Sequence, residues 1–419
     1  MADRTSMAKT NPVFKTAIGA TGMIAAGGDE VAVAYIKAMS IDYPFPIPLK
    51  TGQEAMEFAG SKHLVLEKAL VVGYRYQTMN RHVLASGCKN NLDLACGYTP
   101  RATFMAAHGI NYVGGDLPIV VDTMSKLSAP YLADAKTTAT YRAVDVTNPA
   151  LMREAASLLD GEVCITMEGL VGYLQDHEKR LLFEGVRDVL AEHGGCCMLM
   201  DFNQDKLDVA AARALGTSEE EAVGVTRAGA AELSDTANMS LSFADAAGMQ
   251  AFLAECGLAS EVVTFDAPDA EVPAERLMSD EQRATFREAA QAIQMVVVRA
   301  DASATAAAAP ASATATMESG KGSSSLSLSA DGTLGVELHG RIDTVSAPDL
   351  LKAYEDIAAN GNVMSIDIDA ADLDYISSAG LRVLMVMLKA VGVGNLHIHH
   401  TNETVRKILA TTGFSDMVE

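Results

Sequence analysis

The stretch from Asn91 to Asp116, NLDLACGYTPRATFMAAHGINYVGGD, limits what this chain can fold into, because it passes from strand to turn to helix to strand within 26 residues. Leu92-Asp93-Leu94 is a short buried-strand signal and Gly97 permits a sharp turn. Pro100 through His108 then form a helix that Gly109 stops, and Ile110 to Val113 is β-branched and aromatic. Asp116 follows Gly97 by nineteen positions, about the separation at which an acidic side chain reaches a ribose hydroxyl in an open α/β sheet. Two ligand classes fit this layout, a dinucleotide and S-adenosylmethionine. The glycines separate them: Ala95, Gly97 and Thr99 hold the usual turn positions, and one glycine gives a pyrophosphate too little backbone access. A ligand without a pyrophosphate tolerates the turn better.

The words on either side sharpen the choice. DLACGYTPRA, YVGGDLP and TMEGLVGYLQDHEKRLLFEGV, in that order, resemble the leucine carboxyl methyltransferase family, a branch of the S-adenosylmethionine-dependent methyltransferases. The resemblance covers roughly Asn11 to Ala300. It implies an α/β, Rossmann-like methyltransferase fold, S-adenosylmethionine as co-substrate, and a small molecule or a protein as methyl acceptor. It also implies roles for particular residues. Ala95 and Gly97 form the cofactor turn, Asp116 holds the ribose, Asp145 and Val146 flank the adenine, and Glu168 contacts the ligand. Tyr173 packs beside the acceptor. An arginine one helix before the first strand binds the methionine carboxylate, and the spacing favours Arg75 over Arg81; its planar fork suits a carboxylate. The family usually has Gly where Ala95 stands and Asp where Thr99 stands.

Length and charge bound the remaining possibilities. The 419 residues suffice for two domains, and a net charge of −22 argues against a phosphate-backbone partner, which needs clustered Lys and Arg. Nucleic acid is therefore not expected. The six cysteines show no CxxC spacing and mostly sit in apolar, strand-like runs, so they read as reduced core residues of a cytoplasmic protein. No run of eighteen apolar residues and no signal-peptide pattern is present, so no membrane partner is expected.

Beyond Asp116 the alternation continues. Leu117 to Ala129 reads as helix, Tyr141 to Val144 as strand, and Thr147-Asn148-Pro149 as a capped helix start. Glu162 to Met167 is a fourth strand with Glu168 at its tip, Asp176 to His193 a periodic helix, and Cys196 to Met200 a fifth strand. Gln204 to Asn238 reads as helical, Glu261 to Phe265 as strand, and Glu281 to Arg299 as one closing helix. These elements fill a first domain over residues 1–300.

Composition breaks at Asp301. DASATAAAAPASATATMESGKGSSS, residues 301–325, is nearly all Ala, Ser, Thr, Gly and Pro and reads as a disordered linker. Residues 326–419 restart with their own pattern: a hairpin about Asp331-Gly332, a helix through Leu350 and Tyr354, a strand over Val363 to Ile368 and two further helices. GRIDTVSAPDL and LDYISSAGLRVLM resemble the STAS domain of anti-sigma factor antagonists, a small α/β fold. The resemblance implies an anti-sigma factor or serine kinase as partner and, two residues before the Gly380-Leu381 pair, Ser378 as phosphoacceptor. The family has Asp where Ser377 stands. His397, His399 and His400 share a strand end without a second cluster, so no metal is assigned.

The sequence thus predicts a methyltransferase of the 2.1.1 class acting on a carboxyl or hydroxyl oxygen, joined to a STAS regulatory module. The alternative is a protein that binds S-adenosylmethionine or another nucleoside without turnover and acts as an anti-sigma factor antagonist by protein binding.

Overall fold

The computed structural model describes residues 12–43, 45–51, 64–200, 202, 204–224, 243–301, 314–319, 322–329, 332–358, 363–392, 394–412, 414 and 417–418. The chain divides into two units, Met1–Thr305 and Ala306–Glu419.

The described residues of the first unit begin with helices α1 (Pro12–Gly27), α2 (Glu30–Ala38) and α3 (Leu64–Ala85). They then alternate through β1 (Asn90–Leu94), α4 (Arg101–Ala107), β2 (Asn111–Asp116), α5 (Pro118–Leu132), β3 (Ala139–Ala143), α6 (Pro149–Ala156), β4 (Val163–Met167), α7 (Asp176–His193) and β5 (Gly195–Leu199). Helices α8 (Gln204–Leu215) and α9 (Ala246–Glu255) lead to β6 (Leu258–Thr264), α10 (Asp280–Ala290) and β7 (Gln294–Ala300). The seven strands lie in the order β3-β2-β1-β4-β5-β7-β6. The first five are parallel, and β7 runs antiparallel to both β5 and β6.

Parallel strands must be covered on both faces, and every residue of β1 and β4 is buried. Leu94 packs in one apolar cluster with Ile165, Val186 and Val296, and Tyr112 in another with Tyr74 and Met124. Each fully buried aliphatic side chain stabilises the sheet by about 1.5–3 kcal/mol. Helix starts follow the expected chemistry: the Asn148 side chain caps α6 by accepting from the N–H groups of Ala150 and Leu151.

The expected closing helix over Glu281 to Arg299 is corrected. Only Asp280–Ala290 is helical; Gln294–Ala300, with three consecutive valines, is β7 and sits between β5 and β6. β-branched side chains pack well on a pleated surface and lose rotamer freedom in a helix, so QMVVVRA takes the strand. Of the expected helical reach Gln204 to Asn238, Gln204–Leu215 is α8, and 225–238 lie outside the described residues.

The second unit contains β8 (Thr314–Ser319), β9 (Gly322–Leu328), β10 (Thr333–Ile342), α11 (Ala347–Ala358), β11 (Ser365–Ile376), α12 (Ser378–Val391), β12 (Leu396–His399) and α13 (Glu403–Thr411). Its sheet runs β12-β11-β10-β9-β8. Leu334, Val336, Ile366, Ile368, Leu384 and Met387 belong to its core, which shares no residue with the cores of the first unit. The linker expected over 301–325 is shorter at its C-terminal end, since β8 and the start of β9 are strands of this sheet. Composition counts side chains available for burial, whereas here the β9 backbone supplies ladder partners that stabilise a segment poor in apolar residues. Asp331 of the expected hairpin lies outside the described residues; Gly332 has φ of +85°.

Candidate functional site

Strand order reverses between β1 and β4, and the carboxyl ends of the strands on either side of such a switch point form the ligand crevice of an open α/β sheet. After β1 the chain turns through Ala95 and Gly97, which both adopt left-handed backbone, with φ of +53° and +56°. The position held by Ala95 therefore keeps the conformation that favours glycine without having one. A Cβ on Gly97 would meet Ala17 at 3.5 Å, so α1 lies directly over the turn.

Asp116, at the end of β2, ties the turn in place. Its Oδ2 accepts from the Gly97 N–H at 2.8 Å, and its Oδ1 accepts from the Leu117 N–H at 2.7 Å. Burial pushes the Asp116 carboxyl above the usual carboxylate range, and those two N–H donors pull against the shift. Leu117 beside it is an exposed large apolar residue.

Asp145 follows β3 and is exposed. Its Oδ1 accepts from both the N–H and the hydroxyl of Thr147, at 2.9 and 2.7 Å, which folds the loop back toward the Asn148 cap. Val146, half-buried, packs against the cluster that contains Leu94 and Met167. Tyr173 is half-buried on a single turn of 3₁₀ helix, Val171–Tyr173.

Glu168 stands at the end of β4 between two arginines. Arg75 of α3 approaches its Oε1 at 3.2 Å, and Arg101 of α4 donates from its Nη2 to Oε2. A Cβ on Gly169 would lie 4.0 Å from the Arg75 guanidinium, which places that arginine beside the loop after β4. Arg81 is directed elsewhere, to Asp269 at 3.8 Å.

Arg101 is the centre of a network that the sequence reading does not single out. Its side chain is 3% exposed, and each nitrogen has an acceptor. Nη1 donates to Asp93 Oδ1 at 2.7 Å, Nε to Asn80 Oδ1 at 2.8 Å, and Nη2 to Glu168. The guanidinium also lies over the Tyr76 ring, 5.4 Å from its centroid. Asp93 in turn accepts from the Thr166 hydroxyl at 2.7 Å and the Tyr112 hydroxyl at 2.9 Å. Burial works against the Arg101 charge, but Asp93 and Glu168 outweigh it and hold its pKa well above the ordinary value. The signal that could have found this network is Asp93 itself: a carboxylate inside a buried strand demands a cation, and Arg101 lies eight residues on.

In the second unit Ser377 and Ser378 divide the roles of cap and exposed hydroxyl. Ser377 is the N-cap of α12, with its hydroxyl accepting from the N–H groups of Ala379 and Gly380, while Ser378 begins the helix and is exposed. His399 and His400 pair with Asp367 and Asp369 at 3.7 and 3.1 Å. Among the described residues no group of three or more His, Cys, Asp or Glu is placed to hold a metal ion. All six cysteines are buried thiols. No helix among the described residues is long and apolar enough to cross a membrane.

Comparison with known proteins bears on the two units separately. Residues 328–419 match the family described as "Mlab, STAS domain", so the second unit carries a STAS domain. The anti-sigma factor antagonist SpoIIAA in its unphosphorylated form is similar at 16% identity, over 26% of this chain and 86% of that one, with a TM-score of 0.21. For the first unit, similar solved structures include magnesium protoporphyrin IX methyltransferase from Synechocystis PCC 6803 with bound SAH, at 10% identity over 56% of this chain and 86% of that chain, TM-score 0.32. A methyltransferase from Thermobifida fusca YX, described there as putative, is 15% identical over 68% of this chain and 94% of that chain, TM-score 0.37. No match to a curated protein was found.

Proposed function

We propose that the first unit is an S-adenosylmethionine-dependent O-methyltransferase and that the STAS domain is its protein-docking module. The observation that carries the first part is the Asp116 carboxylate, bonded to the Gly97 N–H of the turn after β1, at the point where strand order reverses. An acidic side chain there is placed for ribose hydroxyls. A dinucleotide is disfavoured because the turn lacks the glycines for a pyrophosphate and because an antiparallel β7 follows β5 where a second parallel nucleotide-binding half would continue.

The remaining crevice residues fit the same ligand. Leu117 offers an apolar surface beside Asp116, Asp145 and Val146 flank the position for the adenine, and Arg75 with Glu168 supplies opposite charges for an amino-acid head group. We assign Tyr173, on the 3₁₀ turn after β4, to the acceptor side. S-adenosylmethionine supplies an electrophilic methyl group on a sulfonium. An acceptor carboxylate needs no base, because it is anionic at neutral pH, and its charge and that of the sulfonium cancel as the methyl moves. Dry walls and alignment therefore favour the transition state over the separated ions. A carboxyl or hydroxyl oxygen on a small molecule or protein is the acceptor class.

Calorimetry with S-adenosylmethionine tests this reading. Asp116→Ala should weaken binding by about 1.5–3 kcal/mol, the scale of a lost charged hydrogen bond. No binding by the parent protein, or unchanged affinity in the variant, would remove the assignment.

For the STAS domain, the exposed Ser378 hydroxyl at the start of α12 supports a phosphoacceptor recognised by an anti-sigma-type serine kinase. The added charge of about −1.5 to −2 is favourable at a helix N-terminus and alters the surface a partner meets. Incubation with such kinases and ATP should add one phosphate that is absent from Ser378→Ala by mass spectrometry. Label retained in the variant would exclude this serine.

A further inference from the structure

The chain of charges Arg75–Glu168–Arg101–Asp93 runs from the crevice into the sheet, and its two ends differ in kind. Asp93 is buried and its partners are all internal: Arg101, Thr166 and Tyr112. Glu168 is at a strand tip, 12% exposed, and one of its two cations, Arg75, is 17% exposed on a different element. Arg101, fixed by Asn80, Asp93 and the Tyr76 ring, has no freedom to follow Glu168 if Glu168 moves. A ligand carrying both an ammonium and a carboxylate can replace the Arg75–Glu168 contact without leaving either charge unpaired: its carboxylate takes Arg75, and its ammonium takes Glu168. Among the described residues, Arg101 then remains as the cation that fixes where the Glu168 carboxylate points.

We infer that Arg101 is a positioning residue, which aims Glu168 at the ammonium of the co-substrate's amino-acid head while Arg75 exchanges Glu168 for the head's carboxylate. This rests on the methyltransferase reading above and adds a residue and a ligand group to it. Arg101 does not touch the ligand; it acts through Glu168. The planar fork is essential to that role, because three acceptors on three elements are held by three different nitrogens, which a lysine ammonium on a flexible stem cannot reproduce.

The test compares two nucleosides by calorimetry on the full chain. S-adenosylhomocysteine carries the amino-acid head, and methylthioadenosine keeps the nucleoside and thioether but lacks it. Removing the cation altogether would leave Asp93 buried and unpaired, so the variants are Arg101→Lys, Glu168→Gln and the double variant. Each single variant should bind S-adenosylhomocysteine about tenfold or more weakly, with methylthioadenosine changed by less than about threefold. The double variant should lose no more than Glu168→Gln alone, as two residues acting through one contact do not add. Equal loss of both nucleosides in Arg101→Lys, or additive losses in the double variant, would overturn the assignment and leave Arg101 a structural residue. A parent protein that binds neither nucleoside would instead overturn the methyltransferase reading, and this inference with it.

Discussion

Ala95 holds a left-handed backbone in the turn that the ligand would approach. That conformation costs an L-residue about 1–2 kcal/mol and glycine almost nothing, while glycine loses roughly 0.5–1 kcal/mol more chain entropy on folding. Ala95→Gly should therefore stabilise the first unit by up to about 1 kcal/mol, read as a higher urea midpoint. A lower midpoint would mean that the methyl group's packing against the β1–β4 cluster outweighs the strain. The turn at Gly97 and the strand end at Asp116 are legible from sequence because turn, helix, strand and acid lie within one short stretch. The Arg101 network is not, because its geometry joins a strand, a helix, a distant strand tip and α3, and no local periodicity encodes which helix residue turns inward. Asp93 gives only half the statement: it requires a cation and does not say which.

At the scale of elements, α7 shows how a helix face carries a pH-dependent cost. Glu184 is half-buried on it, and burial pushes its carboxyl up to about 7, with Arg187 and Arg180 lowering it and Asp188 raising it. A carboxyl whose folded pKa lies above its unfolded value near 4.5 costs nothing below that value. The cost grows as pH rises from 4.5 to 7 and is complete above it. Glu184→Gln should therefore raise stability by about 2–3 kcal/mol at pH 8 and make little difference near pH 4.5, measured by urea unfolding at both values. Equal effects at the two pH values would show that the carboxylate finds solvent. The α7 boundaries follow the sequence closely because an amphipathic stripe ending at Gly194 is a strong local signal. Strand β7 has no such stripe: an apolar run of its length suits a buried strand and a buried helix alike, and only the β6 and β5 partners decide.

The whole molecule consists of two units with separate cores, and the Ala-, Ser- and Thr-rich sequence 302–313 across their boundary has too few apolar side chains to form a third. We expect limited proteolysis to cut there and leave two fragments, near 1–301 and 314–419, each with a cooperative melt. Protection of 302–313 would show that the segment docks on a unit. The lower limit of 314 differs from the one composition suggests because β8 pairs through its backbone, which composition does not record.

The position of β7 sets a clock on the birth of the protein. Strand β5 emerges from synthesis with one edge unpaired, and the strand that covers that edge begins at Gln294, about 95 residues after Leu199. At roughly 5–20 residues per second, the nascent sheet carries an open edge for about 5–20 seconds. During that interval it is exposed to any other strand in reach, including another nascent chain on the same message. Holding back β7 until near the end of the unit thus makes the first domain dependent on its last strand, and a chain released just before it would leave the ribosome ready to pair with a stranger.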